Sequence, residues 1–316
     1  MKKNKGGKLI LIIGALAIII VTICAFNKEK ITHKYYEYTV DKQYGSISTN
    51  KYYLEDNFEY VDNHINTGIK NKNELLNFLY YTLNSGISYI ERYIDIHYTE
   101  YQNDINNLTF NNGEGFKNIV SILNNFVHPY NSSNNIKLTY GGNYTLGVTV
   151  NKAYTETEII EINNIVNKVI EEKINNNTPP KEKIKIIHDY IIDNTEYDKL
   201  KYENKEDTTY KSNTAYGVLI EGFGTCNGYA DAMAIFLDKM NIINYKISND
   251  EHIWNLVYLD GSWYHLDLTW DDQSTDNYNL IIYDFFLVTT NQLNKSNTDK
   301  HTFNQNYYFL FIMIYH

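Results

Sequence analysis

The feature that most constrains the fold is the pair Asp260-Gly261, which separates two stretches with the residue pattern of β-strands, 252–259 and 262–270. This dipeptide favours the two-residue turn of a β-hairpin, because its two residues tolerate positive φ angles. Counting back from the turn makes His252 and Asp267 diagonal cross-strand neighbours on one face. Backbones so placed lie about 7–8 Å apart, within reach of an imidazole–carboxylate hydrogen bond.

The same turn fixes which residues face each other across the predicted hairpin. Leu259 is expected opposite Ser262, Trp254 opposite Asp267, and His252 opposite Thr269. The other face carries apolar side chains that can pack against a core, namely Ile253, Val257, Leu259, Tyr264, Leu266 and Leu268. Burial of that face would hold the register, since a shift by one residue would invert both faces.

A glycine-rich turn, residues 222–228, leads into a predicted helix whose first turn contains Cys226. The helix is indicated by apolar residues at helical spacing, namely Tyr229, Ala230, Met233, Leu237 and Met240. Thr225 is the expected N-cap. Unpaired amides and the positive end of the helix dipole favour a thiolate at this position and could also bind an oxyanion. The alternative for a lone cysteine is a small buried apolar residue.

An imidazole oriented by a carboxylate, together with a thiol at a helix N-terminus, is the arrangement that cysteine catalysis requires. In this interpretation Cys226 attacks an amide carbonyl, and His252 accepts the proton and returns it to the leaving amine. Asp267 holds the ring and stabilises its charge. The competing interpretation is that His252 and Asp267 only occupy a solvated sheet face.

Several motifs, taken in their order along the chain, resemble the bacterial transglutaminase-like superfamily. They are Ile187-His188-Asp189-Tyr190-Ile191, Asn194-x-x-Tyr197-Asp198, Ala215-Tyr216-Gly217, Gly222-x-Gly224-x-Cys226-x-Gly228-Tyr229-Ala230, His252-x-Trp254-Asn255 and Trp263-Tyr264-His265-x-Asp267-x-Thr269-Trp270-Asp271-Asp272. The resemblance spans about residues 181–301. It implies a papain-like α+β core in which the cysteine helix packs against an antiparallel sheet. It also carries Cys226, His252 and Asp267 over as the catalytic triad.

The resemblance implies the site more firmly than the reaction, because the family includes acyl transferases, peptidases, amidases and inactive scaffolds. We expect acyl transfer or hydrolysis at amide bonds of a protein or peptide substrate through an acyl-thioenzyme. The alternative is a non-catalytic surface binding module on the same fold. Asn227 and Ile253 stand where the family more often has Gln and Ala.

Two further residues are candidates for binding the substrate or the oxyanion. Trp254 shares a face with His252, and Tyr216 lies in a family-like motif, although core packing is the competing interpretation for Tyr216. No cofactor is expected. A zinc site built from Cys226, His252, His265 and Asp267 is disfavoured, because the sequence has no Cys-x-x-Cys or His-x-x-x-His pair.

An apolar run from Leu9 to Phe26 follows four lysines. Its eighteen residues would rise about 27 Å as a helix, close to the thickness of the bilayer interior. The lysines place residues 1–8 in the cytoplasm and the rest of the chain outside, which predicts a single-pass membrane protein with a signal anchor. Cleavage and secretion, or lipid attachment at Cys24, are the alternatives.

The charge beyond Phe26 argues against a nucleic-acid partner. Of the 28 basic residues, 24 lie beyond Phe26 together with all 38 acidic ones, which gives this part a net charge of −14. A surface this acidic repels phosphate backbones.

The overall prediction is an α+β chain. Residues 27–70 are expected to be a linker or stalk, residues 71–175 a small α/β domain of unknown role, and residues 176–316 the transglutaminase-like domain. The predicted elements before the hairpin are helices near 75–83, 116–126, 156–172 and 180–194, a strand at 94–98, and a hairpin over 136–140 and 144–150. His188 and Asp189 are expected to point in different directions and to be structural. Residues 307–315 are expected to form a final strand, and the oligomeric state is not predicted.

Overall fold

A computed structural model of the chain describes residues 5–28, 30, 31, 34, 35, 50–54, 68–95, 97–109, 119–141, 145–274, 280–295, 299–303 and 308. The helices are α1 (Lys5–Phe26), α2 (Lys72–Asn84), α3 (Tyr101–Thr109), α4 (Ile119–Asn124), α5 (Glu156–Lys173), α6 (Pro180–Asp193), α7 (Lys199–Glu203), α8 (Cys226–Lys239), α9 (Leu268–Asp271) and α10 (Thr290–Leu293). The strands are β1 (Tyr89–Tyr93), β2 (Ser133–Gly141), β3 (Thr145–Lys152), β4 (Glu196–Tyr197), β5 (Phe223–Gly224), β6 (Asn244–Ser248), β7 (Ile253–Leu259) and β8 (Ser262–Leu266).

The first helix, α1, covers the apolar run of the sequence. Its side chains are described from Ile12 onwards, and the large apolar ones are exposed. Counting only what the structure describes, we find no helix with both the length and the apolar character that a membrane crossing needs. The anchor over residues 9–26 therefore stays a prediction.

The amino-terminal unit is a three-stranded antiparallel sheet in the order β1-β3-β2, covered by α2 and α4. Helix α2 begins where the side chain of Asn71 accepts a hydrogen bond from the Glu74 amide. The helix predicted at 75–83 and the hairpin predicted within 136–150 are confirmed. The prediction of a strand at 94–98 is wrong, because the strand of this region is Tyr89–Tyr93. The buried Arg92 breaks the apolar alternation that would indicate this strand in the sequence.

Residues 50–54 fell within the predicted linker, but they pack against the amino-terminal unit. The side-chain Nδ2 of Asn50 donates to the Asn84 carbonyl at 3.1 Å and to Oδ1 of Asn131 at 3.0 Å. The ring of Tyr52 stacks on His128 with 4.8 Å between centroids. Residues 307 and 309–316, most of the predicted final strand, lie outside the described residues, and Tyr308 is buried.

The carboxy-terminal core is formed by α8, which packs on one face of the sheet β6-β7-β8, and by α5 and α6, which pack against α8. One cluster of buried apolar side chains joins them, including Ile162, Val166, Ile187, Ile191, Met233, Phe236, Val257 and Leu266. Helix α5 begins with a capping box between Thr155 and Glu158. Helix α5 lies before the domain boundary predicted between residues 175 and 176, but its apolar side chains belong to the same core as those of α6 and α8.

The hairpin β7-β8 has the predicted turn and register. Asp260 and Gly261 have φ angles of 50° and 80°, and Leu259 pairs with Ser262. Beyond Leu266 the prediction fails, because Asp267 leaves the sheet and accepts a hydrogen bond from the Trp270 amide at 3.2 Å. That capping bond starts α9, so the predicted pairing of His252 with Thr269 does not form.

The second face of the sheet is also buried, so the interpretation of a solvated face is wrong. Trp254 and Leu256 on this face belong to a cluster that includes Phe285, Leu293 and, from the amino-terminal unit, Phe126. The segments after α9 therefore cover the face that carries the predicted catalytic residues. The sheet lies between two cores.

Candidate active site

The start of α8 is held by the loop at residues 212–214. The Thr225 amide donates to the Ser212 carbonyl at 2.9 Å, and the Asn227 side chain donates to the Asn213 carbonyl at 2.5 Å. A Cβ atom on Gly228 would lie 2.2 Å from the Ser212 carbonyl oxygen, so only glycine allows this approach. The glycine-rich motif thus brings a loop against the first helical turn.

Thr225 is the N-cap residue, as predicted, but its hydroxyl does not cap the helix. It donates instead to the Asn213 side chain at 2.6 Å. Cys226 follows as the first residue of α8, half-buried and with a free thiol. The thiol is therefore at the positive end of a 14-residue helix and is not sealed in the core.

The structure brings Cys226, His252 and Asp267 together. Nε2 of His252 donates to Oδ2 of Asp267 at 2.5 Å, and the Cys226 side chain lies within interaction range of the same imidazole. Burial by itself would lower the pKa of His252, but the Asp267 charge and hydrogen bond, together with Cys226, raise this pKa to about 10.

The pKa of Asp267, the partner of His252, is shifted in the opposite direction. Burial by itself would raise the pKa of Asp267, but the charges and hydrogen bonds of His252 and His301 lower it to about 2. At neutral pH the two groups therefore form a buried imidazolium–carboxylate pair. An imidazolium beside a thiol stabilises the thiolate, which is the nucleophilic form of cysteine.

Trp254 supports the imidazole from behind. Its ring stacks on His252 with 5.6 Å between centroids, and its indole N–H donates to Nδ1 of His265 at 3.0 Å. His265 also bonds Thr290 at 3.0 Å, and burial together with the His301 charge lowers its pKa to about 4. Only 1% of Trp254 is exposed, so the predicted substrate-binding role gives way to packing behind His252.

Tyr216 makes its side-chain contacts with α5 and with Lys211. Its hydroxyl donates to Glu161 on α5 at 3.1 Å, and the Lys211 ammonium lies 5.4 Å from its ring centroid. These contacts do not suit an oxyanion donor to Cys226, so the predicted role is corrected.

A different tyrosine, Tyr197, lies near the thiol. Strand β4 runs parallel to β5 and pairs Tyr197 with Gly224, two residues before Cys226. Burial and the nearby Cys226 raise the pKa of the half-buried Tyr197. Sequence reasoning missed this residue, although it stands in the motif Asn194-x-x-Tyr197-Asp198.

His301 is the second residue that the sequence did not indicate. Nε2 of His301 donates to Oδ2 of Asp267 at 2.7 Å, and its ring stacks on Phe285 with 4.7 Å between centroids. It lies in a short 3-10 helix, Asp299–His301, 34 residues after Asp267 and outside any periodic pattern.

A second imidazole–carboxylate cluster is formed by three buried or half-buried side chains of α6 and α9. The imidazole of His188 bonds Asp189 at 2.9 Å and Asp271 at 3.1 Å, so the prediction that His188 and Asp189 point apart is wrong. Asp271 ends α9, and its carboxylate accepts from the Phe285 amide at 2.9 Å. These contacts connect α6 to the short helix that Asp267 begins, so the structural role expected of His188 and Asp189 fits their positions and stays a prediction.

In the described part of the chain, one group of side chains has donor atoms close enough together to bind a metal ion. His252, Asp267 and His301 offer atoms that all lie within 4.8 Å of one another. Both imidazoles already donate to Asp267, so a metal ion would have to replace these two hydrogen bonds. The zinc set considered from sequence is not assembled, because His265 faces Trp254 and Thr290.

Residues 167–268 match the family model of the transglutaminase-like superfamily, which confirms the resemblance in the motifs. Among solved structures, the chain is similar to a crystal structure of a TGase at 16% identity and TM-score 0.33, covering 44% of this chain and 45% of that one. It is also similar to a candidate cysteine protease from Cytophaga hutchinsonii at 14% identity and TM-score 0.26, covering 46% and 64%. The chain thus spans less than two thirds of either protein. No curated protein matches it.

Proposed function

We propose that this chain, whose residues 167–268 match the model of the transglutaminase-like superfamily, is a cysteine enzyme acting on amide bonds of proteins or peptides. One observation carries the proposal: the 2.5 Å bond between His252 and Asp267 lies beside the half-buried thiol at the start of α8. Nucleophile, base and orienting acid are then in one place, as acyl transfer through a thioester requires.

The reaction begins when the Cys226 thiolate attacks the carbonyl carbon of the substrate amide. The negative charge that develops on the carbonyl oxygen is stabilised by amides in the first turn of α8. The His252 imidazolium gives its proton to the leaving amine as the C–N bond breaks, which leaves an acyl-thioenzyme and a neutral imidazole.

The thioester is then resolved by an amine or by water. His252 takes a proton from the incoming nucleophile, the C–S bond breaks, and the thiolate–imidazolium pair is restored. Asp267 remains ionised throughout and stabilises the imidazolium. An amine gives a new amide, and water gives an acid.

Membrane attachment is a separate part of the proposal. The lysine-flanked apolar run at residues 9–26 would anchor the chain and place the domain outside the cell, where its substrate would be a surface protein or peptide. Protease added to intact cells should then remove the bulk of the chain. Protection of the domain would contradict this placement.

The catalytic proposal is tested by incubating the purified chain with a glutamine-containing protein and a labelled primary amine, followed by mass spectrometry. Incorporation of the amine means transfer, whereas release of ammonia or of fragments alone means hydrolysis. Cys226→Ala should abolish either product, and Cys24→Ala is the matched control that should keep it. If the wild-type chain gives no product, the alternative of a binding module is favoured.

A further inference from the structure

Asp267 is shared between two histidines, and only one of them belongs to the proposed triad. Oδ2 of Asp267 accepts from His252 at 2.5 Å and from His301 at 2.7 Å. We propose that His301 is a positioning residue that holds the Asp267 carboxylate in the orientation that His252 requires. This inference rests on the function proposed above.

The carboxylate of Asp267 has few alternatives to these partners. Its other oxygen, Oδ1, accepts from the Trp270 amide at 3.2 Å, and only 2% of the residue is exposed. A carboxylate this buried has little access to water that could replace a lost donor, so removal of His301 would leave Oδ2 with His252 as its one remaining donor among these two. A carboxylate that turns to find another donor would no longer face His252 correctly.

The segment that carries His301 is fastened to the loop that carries His252. The Asn249 carboxamide oxygen accepts from the His252 amide at 2.8 Å, and its nitrogen donates to the Lys300 and Thr302 carbonyls at 2.5 and 2.8 Å. Lys300 also forms an ion pair with Glu251. One side chain therefore sets the positions of both histidine-bearing segments relative to each other.

His301 could act through its ring or through its N–H group, and the two roles are separable. The ring stacks on Phe285 and makes edge contacts at 4.9 Å with Trp270 and 5.0 Å with Trp254. A role in packing needs an aromatic ring at position 301. A role in positioning Asp267 needs a hydrogen-bond donor there.

The experiment compares His301→Gln, which keeps a donor of similar reach, with His301→Phe, which keeps the ring. If the hydrogen bond to Asp267 matters, His301→Phe should lower kcat about 10- to 100-fold with KM nearly unchanged, because a bond to a charged group is lost. His301→Gln should stay within about fivefold of wild type. His128→Phe, a substitution of a buried histidine outside the site, is the matched control. The reverse order, with Phe active and Gln inactive, would overturn the proposal.

A second measurement does not depend on catalysis. The titration of the Asp267 carboxyl carbon is followed by NMR in Cys226→Ala protein, with and without each substitution. Within the described residues, the charged or titratable groups that interact electrostatically with Asp267 include His252, His301, His265, Asp271 and Tyr197.

Since the hydrogen bond and the charge of His301 both lower the pKa of Asp267, that pKa should rise most in His301→Phe, which removes both, and less in His301→Gln, which keeps a hydrogen-bond donor. If the wild-type chain forms no product but the Cys226→Ala proteins show this order of pKa values, the positioning role is supported while the proposed function fails. An Asp267 titration unchanged by His301→Phe would overturn the positioning role whatever the activity.

Discussion

A buried ion pair connects the cysteine helix α8 to the sheet. The effects of substituting its two members on the free energy of unfolding should be strongly coupled. Asp231, five residues after Cys226 in the sequence, pairs with the Lys246 ammonium on β6. Its other oxygen accepts from the Tyr154 hydroxyl at 2.6 Å, and that hydroxyl accepts from the Ala215 amide at 2.8 Å. Asp231 and Lys246 are 1% and 3% exposed.

The cost of removing one partner follows from this burial. Lys246→Met or Asp231→Leu alone leaves an uncompensated charge inside the protein, which should lower the free energy of unfolding by about 3–5 kcal/mol. The double variant buries no charge, so its main cost is the Tyr154 hydroxyl left without an acceptor, about 1–3 kcal/mol. The double variant should therefore be more stable than the Asp231→Leu single variant.

The assay is urea unfolding followed by tryptophan fluorescence for wild type, both single variants and the double variant. Lys168 and Glu172, an ion pair on α5 with side chains 67% and 59% exposed, provide the control cycle, in which we expect no measurable coupling. If the two single effects simply add in the Asp231–Lys246 double variant, the reasoning is refuted, because independent sites do not share a buried charge.

Two further predictions concern the start of α8 and the histidine. Gly228→Ala should destabilise the fold by about 1–3 kcal/mol in urea unfolding, because its Cβ would lie 2.2 Å from a backbone oxygen. Gly261→Asn should cost less, because no atom lies within 4 Å of the added Cβ and Asn tolerates the positive φ of 80° better than most residues. Equal effects of the two substitutions would contradict this account. The pKa of His252 is about 10 in the folded chain and about 6.5 unfolded, so the stability that His252 contributes is complete below pH 6.5 and is lost as pH rises through 10. The gap in unfolding free energy between wild type and His252→Gln should therefore narrow over that range, and a gap that widens would show the sign to be wrong.

The hairpin could be predicted from sequence because its register depends on local chemistry. Asp260-Gly261 dictates the turn, and a turn of known length fixes every pair that follows it. The register was lost after Leu266, where the Asp267 side chain bonds a backbone amide three residues ahead. A capping bond of this kind ends a strand without changing the apolar pattern.

The surroundings of the triad could not be predicted, because they come from segments distant in sequence. Alternation places Trp254 and His252 on one face, but it does not say that Phe285 and His301 cover that face. Tyr197 reaches the thiol only through the two-residue pairing of β4 with β5, which is too short to leave a periodic signal. The strand pairing near the turn was therefore predictable from sequence, and the contacts between segments distant in sequence were not.

The most direct test of the central claim is the reactivity of Cys226 toward iodoacetamide near pH 6, measured in Cys24→Ala protein so that one thiol remains. If His252 and Asp267 stabilise the thiolate, labelling should be far faster than that of free cysteine, and His252→Ala should slow it to the rate of an ordinary thiol. Wild-type labelling no faster than free cysteine, or a rate that His252→Ala leaves unchanged, would contradict the account.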